Sequence, residues 1–269
     1  EALLAWAKLL NTVYGRTRTM WSPLITTPRL MELDKAKEDE RHVRKEIEVT
    51  EEDPFDWDFD AYEFYKATNA LLNVSDELKE NDSYKFDLTN VYRELLQSLT
   101  HRFIKELSTA YHNQDIEAFQ KAANQLFKLF DDLEAVTGTN ENFMLGKWLE
   151  DAKSWGTNPE EKEYYEWNAR TIITIWQPWE DGGLRDYAGK AWNGLFSGYY
   201  KPRWQLLVNM LEESLKENKE FDAGTYDKAV RKIDFKWTHS NELYPAQPTG
   251  DIIEVAKIMD TEYQKYFTK

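Results

Sequence analysis

Residues 87–107 read DLTNVYRELLQSLTHRFIKEL, and this stretch decides the fold. Leu88, Val91, Tyr92, Leu95, Leu96, Leu99, Phe103 and Leu107 recur at steps of three and four, which gathers them on one face of a helix of about six turns. Asp87 stands where its carboxylate would cap the first free amides. Outward from this stretch, Asp115 is placed as the cap of a second helix with Ile116, Phe119, Ala123, Leu126, Phe130 and Leu133 as its stripe, closed by the breaker Gly138. The short link at Asn113 predicts an antiparallel hairpin of the two.

The same rhythm continues on both sides. Upstream, Leu3, Trp6, Leu10 and Val13 give a helix from Ala2 to Tyr14. Downstream, residues 143–153 carry Trp148, Leu149 and Ala152. Asn158, Pro159, Glu160 and Glu161 then read as cap, first helical position and acidic first turn of a helix to about Ile175. Tyr187, Ala188, Ala191 and Leu195 predict a helix to Tyr199, and Pro202 starts another through Trp204, Leu207, Leu211 and Leu215. Helices over 226–237 and 251–267 complete the chain. No alternating β-branched run, Asn-Gly hairpin or internal repeat stands out. The predicted class is all-α, an array of about eight to ten amphipathic helices with no significant sheet.

The segment 34–53 departs from the pattern, being dominated by Lys, Glu, Asp and Arg, and reads as a solvated segment. It separates residues 1–33, a helix followed by an extended connector through Trp21, Ser22 and Pro23, from a helical domain at 54–269.

Composition narrows the function. The 269 residues hold 34 Lys and Arg against 49 Asp and Glu, a net charge of −15, with no cysteine. Disulfides, thiolate metal sites and cysteine nucleophiles are excluded, and His42, His101, His112 and His239 lack ligand spacing, so neither metal nor cofactor is expected. An acidic chain without a dense basic run is no partner for nucleic acid or an anionic membrane. No apolar run approaches the ~20 residues of a membrane span. The first residue is Glu1, and the opening stretch has helix spacing rather than a signal peptide's apolar run, so the chain is expected to begin inside a fold. Aromatic residues make up 14% of the chain, high for a charged fraction of 31%, so the rings belong to a core or to a binding surface.

The loop Trp176-Gln177-Pro178-Trp179-Glu180-Asp181-Gly182-Gly183-Leu184 joins two Trp, two acids and two Gly between predicted helices. Aromatic faces pack on the C–H side of a pyranose while carboxylates and backbone groups take its hydroxyls. The bland alternative is a helix-end Trp and a glycine turn, which spacing alone favours. Carboxylate pairs of the glycosidase kind are too abundant to single out: Asp56, Asp58 and Asp60, Asp131 and Asp132, and Glu180 and Asp181 all read first as caps or solvated groups. Asn73-Val74-Ser75 and Asn81-Asp82-Ser83 match the glycosylation sequon. Phosphate loops, Gly-x-Ser-x-Gly elbows and His-Glu-x-x-His are missing.

Tyr165-Glu166-Trp167-Asn168-Ala169-Arg170, Thr174-Ile175-Trp176, Asp186-Tyr187-Ala188 and Tyr199-Tyr200-Lys201-Pro202-Arg203-Trp204 form a long ordered series. With Leu145-Gly146-Lys147-Trp148 and Tyr244-Pro245-Ala246-Gln247-Pro248, it resembles the C-terminal region of glycoside hydrolase family 89, the α-N-acetylglucosaminidases. The resemblance spans nearly the whole chain and is weakest at 34–53. It implies an all-α domain that packs on a (β/α)8 barrel, and an exo-acting retaining hydrolase whose two catalytic Glu sit on that barrel, outside this chain. No catalytic residue is therefore expected here. The resemblance places Trp176 and Leu184 at the wall of the sugar pocket. The intervening loop is about two residues longer than in the animal enzymes of the family, which makes Trp179 a further candidate contact.

The partners the resemblance implies are the barrel and a glycan ending in N-acetylglucosamine. A barrel-facing surface left open near Trp6, Trp21 and the Trp176 loop would also permit a dimer. The implied compartment is an exported one, periplasmic or extracellular in a bacterium and lysosomal in an animal. Two rivals stand beside this reading: an independent helical carbohydrate-binding or interaction module, and a helical-toroid glycosidase using Glu180 and Asp186.

Overall fold

Helix α6, Ile116–Thr137, buries Phe119, Ala122, Leu126, Leu129, Phe130, Leu133 and Val136 along one face and forms the axis of the molecule. The computed structural model describes residues 2–15, 22–29, 59–176 and 184–268. Around α6 lie α4 (Asp82–Ser98), α5 (Thr100–His112), α9 (Lys201–Glu217) and α11 (Ile252–Tyr263). Helix α1 (Ala2–Leu10) packs on α2 (Ala61–Leu72), the short α3 (Ser75–Leu78) follows, and α7 (Leu145–Ser154) pairs with α8 (Pro159–Ile172) and α8 with α10 (Ala223–Thr238). Among the described residues no strand forms, and a single parallel bridge joins Met144 to Asn193. The all-α expectation is met.

Capping follows the expected chemistry where the cap is a local signal. Asp115 accepts the Ala118 amide at 2.9 Å, and Asn158 accepts that of Glu161 at 2.9 Å with Pro159 at the first helical position. Asp60 caps α2 through the amides of Tyr62 and Glu63. Ala5, Leu9, Leu24 and Ile25 share one continuous core with α2 to α11, so α1 and the Pro23–Ile25 turn pack into the domain body. The charged segment 34–53 and Trp21 lie outside the described residues.

The single helix expected over 87–107 is two. It starts at Asp82, where Asn81 accepts the Tyr84 amide at 3.0 Å, so Asp87 lies inside it. It breaks at Leu99, whose N–H turns back to Leu96 at 3.1 Å, while Ser98 Oγ bonds to the Leu95 carbonyl at 2.6 Å. A serine that bonds back to the preceding turn bends a helix, which apolar spacing does not report. The helix expected over 187–199 is also absent. Asp186, Gly189 and Gly194 take left-handed conformations with φ of 59°, 55° and 85°, which no helix accommodates. Only Phe196–Tyr200 coils, as a π-turn that runs into α9. The predicted connector, in turn, holds a tight 3-10 turn over Pro23–Ile25 capped by Ser22.

One irregular segment is laid across the finished helices. Tyr244 and Pro245 pass over Gly146 of α7 and Gly198 of the π-turn so closely that a Cβ on either glycine would collide with them. Glycine is required at both places by the approach of this strap.

Candidate functional site

The end of α8 presents the first wall residue. Thr174 donates its hydroxyl to the Arg170 carbonyl at 2.7 Å, and the Trp176 amide reaches back to Thr171 at 2.8 Å, closing the helix end. Ile173 and Ile175 point into the core, whereas Trp176, held at φ 63°, stands 44% exposed. A left-handed non-glycine residue carries about 1–3 kcal/mol of strain, and such strain collects at binding corners.

The chain returns at Leu184, 54% exposed, and passes through Asp186, which donates its amide to the Thr174 carbonyl at 2.6 Å. That bond closes the neck of the loop. Tyr187 then meets Trp176 edge to face, ring centroids 5.5 Å apart. The structure therefore brings Trp176 together with Tyr187, and Leu184 emerges from the same neck. Trp179, with Glu180 and Asp181, lies outside the described residues. Tyr187, whose spacing predicts a core-facing place on a helix, is 56% exposed; Gly189, left-handed two residues on, is the signal that marks a turn there.

Beneath this corner lies a charged core. Arg203 is fully buried, and its Nη1 meets both Asp186 oxygens at 3.0 and 3.2 Å, the Tyr199 hydroxyl at 2.9 Å and Asp234 Oδ1 at 3.4 Å. The guanidinium lies over the Tyr199 ring at 4.2 Å. Burial opposes its charge, but Asp186, Tyr199 and Asp234 hold its pKa well above the usual value. Tyr199 donates to Asp234 Oδ1 at 3.0 Å, and Arg185 Nε meets Asp234 Oδ2 at 3.4 Å. Burial nevertheless pushes the Asp234 carboxyl up against the pull of Arg203 and Arg185.

A second buried arginine fixes α8 itself. Arg170 donates to Glu166 Oε1 from Nε at 3.1 Å and from Nη2 at 2.7 Å, and to the Glu242 carbonyl at 2.6 Å. Its guanidinium sits between Trp237 at 4.9 Å and Tyr244 at 5.5 Å. These contacts make Arg170, Asp186 and Arg203 structural groups, whereas Asn168, two residues before Arg170, is exposed.

The connector also arrives here. Thr27 donates to Asp186 Oδ2 at 3.1 Å, and Tyr226 donates to the Pro28 carbonyl at 2.9 Å. Chemically the corner is an aromatic and aliphatic wall over a rigid base. Asp186, 2% exposed and paired with Arg203, is in no position to protonate a glycosidic oxygen. Among the described residues no group of three or more His, Asp or Glu is set to hold a metal ion. No described helix is long and apolar enough to cross a membrane.

Of the places where a barrel-facing surface is expected, Trp21 and residues 177–183 lie outside the described residues, and α1 is described. Leu3, Leu4 and Leu10 face outward, while Trp6 is half-buried and stacks on Tyr14 at 5.9 Å.

Comparison with known proteins extends these observations. Residues 1–261 match the family model described as the α-N-acetylglucosaminidase (NAGLU) C-terminal domain. Human α-N-acetylglucosaminidase is 29% identical over 272 residues, which cover 98% of this chain and 33% of the human one. A family 89 glycoside hydrolase from Clostridium perfringens, solved with 2-acetamido-1,2-dideoxynojirimycin, superposes with a TM-score of 0.80 at 24% identity, covering 97% of this chain and 29% of that one. The same organism's enzyme solved with GlcNAc-α-1,4-galactose gives 0.81 at 23% identity over 99% and 30%. The chain thus spans about a third of the relatives it matches.

Proposed function

The chain belongs to the family of α-N-acetylglucosaminidase C-terminal domains, and from that premise we propose that it completes the sugar pocket of an exo-acting, retaining α-N-acetylglucosaminidase. In this reading the domain packs on a catalytic (β/α)8 barrel that supplies both catalytic Glu, and the present chain alone is inactive. Residues 1–33 lead in from the barrel, and 54–269 form the helical domain proper. Trp176 contributes an aromatic face to the terminal N-acetylglucosamine, with Leu184 as an apolar neighbour and Trp179 as a further contact.

The observation that carries the reading is the Trp176 corner: a strained, half-exposed tryptophan beside Tyr187, closed at its neck by the Asp186–Thr174 bond. The outward stripe of Leu3, Leu4 and Leu10 supports docking of α1 against the barrel, and the same stripe left uncovered would favour self-association. Export from the cytoplasm accompanies this function.

Kinetics of the barrel-containing enzyme test it. Trp176→Ala should lower kcat/KM on an aryl α-N-acetylglucosaminide about tenfold or more, the equivalent of ~1.5–3 kcal/mol of lost aromatic contact. An unchanged kcat/KM removes Trp176 from the pocket. The isolated chain should neither turn over this substrate nor bind free N-acetylglucosamine measurably, since one wall lacks its opposite.

A further inference from the structure

Every polar group of Asp186 is committed to a different element. Its amide goes to the Thr174 carbonyl at the end of α8, and its carbonyl accepts the Gly189 amide at 3.0 Å to close its own turn. One carboxylate oxygen accepts from Thr27 of the connector, and both face Arg203 Nη1 of α9. The residue does this in a left-handed conformation, φ 59°, which aspartate tolerates better than most non-glycine residues.

The chemistry of the site demands this side chain. Arg203 is fully buried and its charge needs a carboxylate in contact. An amide would keep the Thr27 bond but leave Arg203 facing Asp234 alone, at 3.4 Å. A glutamate carries an extra methylene into a site with no slack, since Tyr199 and Tyr200 pack against the guanidinium at 4.2 and 5.4 Å.

Trp176 and Tyr187 flank the Thr174–Asp186 bond, Trp176 two residues beyond Thr174 at the start of the loop it closes and Tyr187 next to Asp186 just outside that loop. Both rings are about half exposed and half packed, so their placement follows that of the backbone that carries them. We infer that Asp186, held by Arg203 and Thr27, is the positioning residue for the Trp176–Tyr187 wall, and that through Thr27 it ties the connector to that wall. This rests on the reading of Trp176 as a sugar-pocket residue. Asp186 acts before substrate arrives: it fixes the rings in place, so that binding does not have to order them.

A double-mutant cycle in the barrel-containing enzyme tests this, with kcat/KM on an aryl α-N-acetylglucosaminide and the thermal midpoint both measured. Asp186→Asn should lower kcat/KM about tenfold in the wild-type background and have little further effect in Trp176→Ala, because it acts through that ring. The drop in thermal midpoint should be the same in both backgrounds. Losses in kcat/KM that multiply, or an Asp186→Asn variant with full kcat/KM, overturn the positioning role while leaving Trp176 in the pocket. Trp176→Ala without effect overturns the pocket reading and this inference with it. Should Asp186→Asn fail to fold, Thr27→Val keeps the ion pair and removes only the connector's bond. It should lower kcat/KM about threefold, again only where Trp176 is present; full kcat/KM overturns the inference.

Discussion

Replacing Arg170 with methionine isolates what a buried arginine does for this domain. The guanidinium gives two bonds to Glu166 and one to the Glu242 carbonyl, and lies between the rings of Trp237 and Tyr244. Removing one partner of a buried ion pair costs about 3–5 kcal/mol, mostly because the other charge is left behind. Methionine recovers part of the apolar contact with the two rings, which places the expected loss near 3 kcal/mol. At about 2–4 °C per kcal/mol for a domain of this size, the thermal midpoint should fall by roughly 10 °C. Glu166 retains Lys153 at 3.2 Å, a pair nearer the surface that offsets little. The second half of the cycle is more telling. Arg170→Met combined with Glu166→Leu removes the stranded carboxylate, so the double variant should lose only about 1–2 kcal/mol, less than the single one. Urea unfolding of the isolated chain at constant m-value measures both. A single-variant loss below about 1 kcal/mol, or losses that add, would refute the argument that the charge needs its partner.

Gly198→Ala places a methyl group against the Tyr244 hydroxyl, which also receives the Trp237 indole N–H at 3.0 Å. Displacing the strap should cost about 1–3 kcal/mol in urea unfolding, and an unaffected Gly198→Ala protein would show that the strap yields freely. Glu134 accepts the amides of Gly194 at 2.7 Å and Ser197 at 3.2 Å, yet burial leaves its pKa raised above the ordinary 4.5. In the window between the unfolded and folded pKa the native state binds more protons, so this group's contribution is full below the unfolded value and is lost as pH rises through the folded one. The stability advantage of wild type over Glu134→Gln should therefore grow as pH falls from about 7 to about 4.5, and an advantage that shrinks would contradict the assignment.

The elements legible in the sequence are those written by local rules. Asp115 and Asn158 cap as their positions demand, and α6 buries the stripe its spacing announces, because caps and apolar periodicity act within a few residues. Residues 187–199 misled for the same reason. Tyr187, Ala191 and Leu195 sit at helical intervals, but left-handed Asp186, Gly189 and Gly194 divert the backbone so that the Tyr244 strap and the 143–145 bridge can fit against it. Gly138 closes α6 where a breaker was expected, though at φ −68° it is not a left-handed cap. Trp176 and Leu184 came from the family's pattern. Gly189 marks a turn beside Tyr187, but the meeting of Tyr187 with Trp176 depends on the Thr174–Asp186 bond, a contact that no periodicity encodes.

The bonds that anchor the connector also set a timetable. Thr27 and Pro28 find their partners at Asp186 and Tyr226, 159 and 198 residues later in the chain. During synthesis at about 5–20 residues per second, Pro28 waits roughly 10–40 s for Tyr226 to emerge. Helix α1 finds α2 within the first 72 residues, so the connector behind it is fixed long after the helix that precedes it. A chain halted before Tyr226 would keep the Thr27–Asp186 bond but leave the Pro28 carbonyl without its phenol, so the far end of the connector would hang on one anchor in place of two.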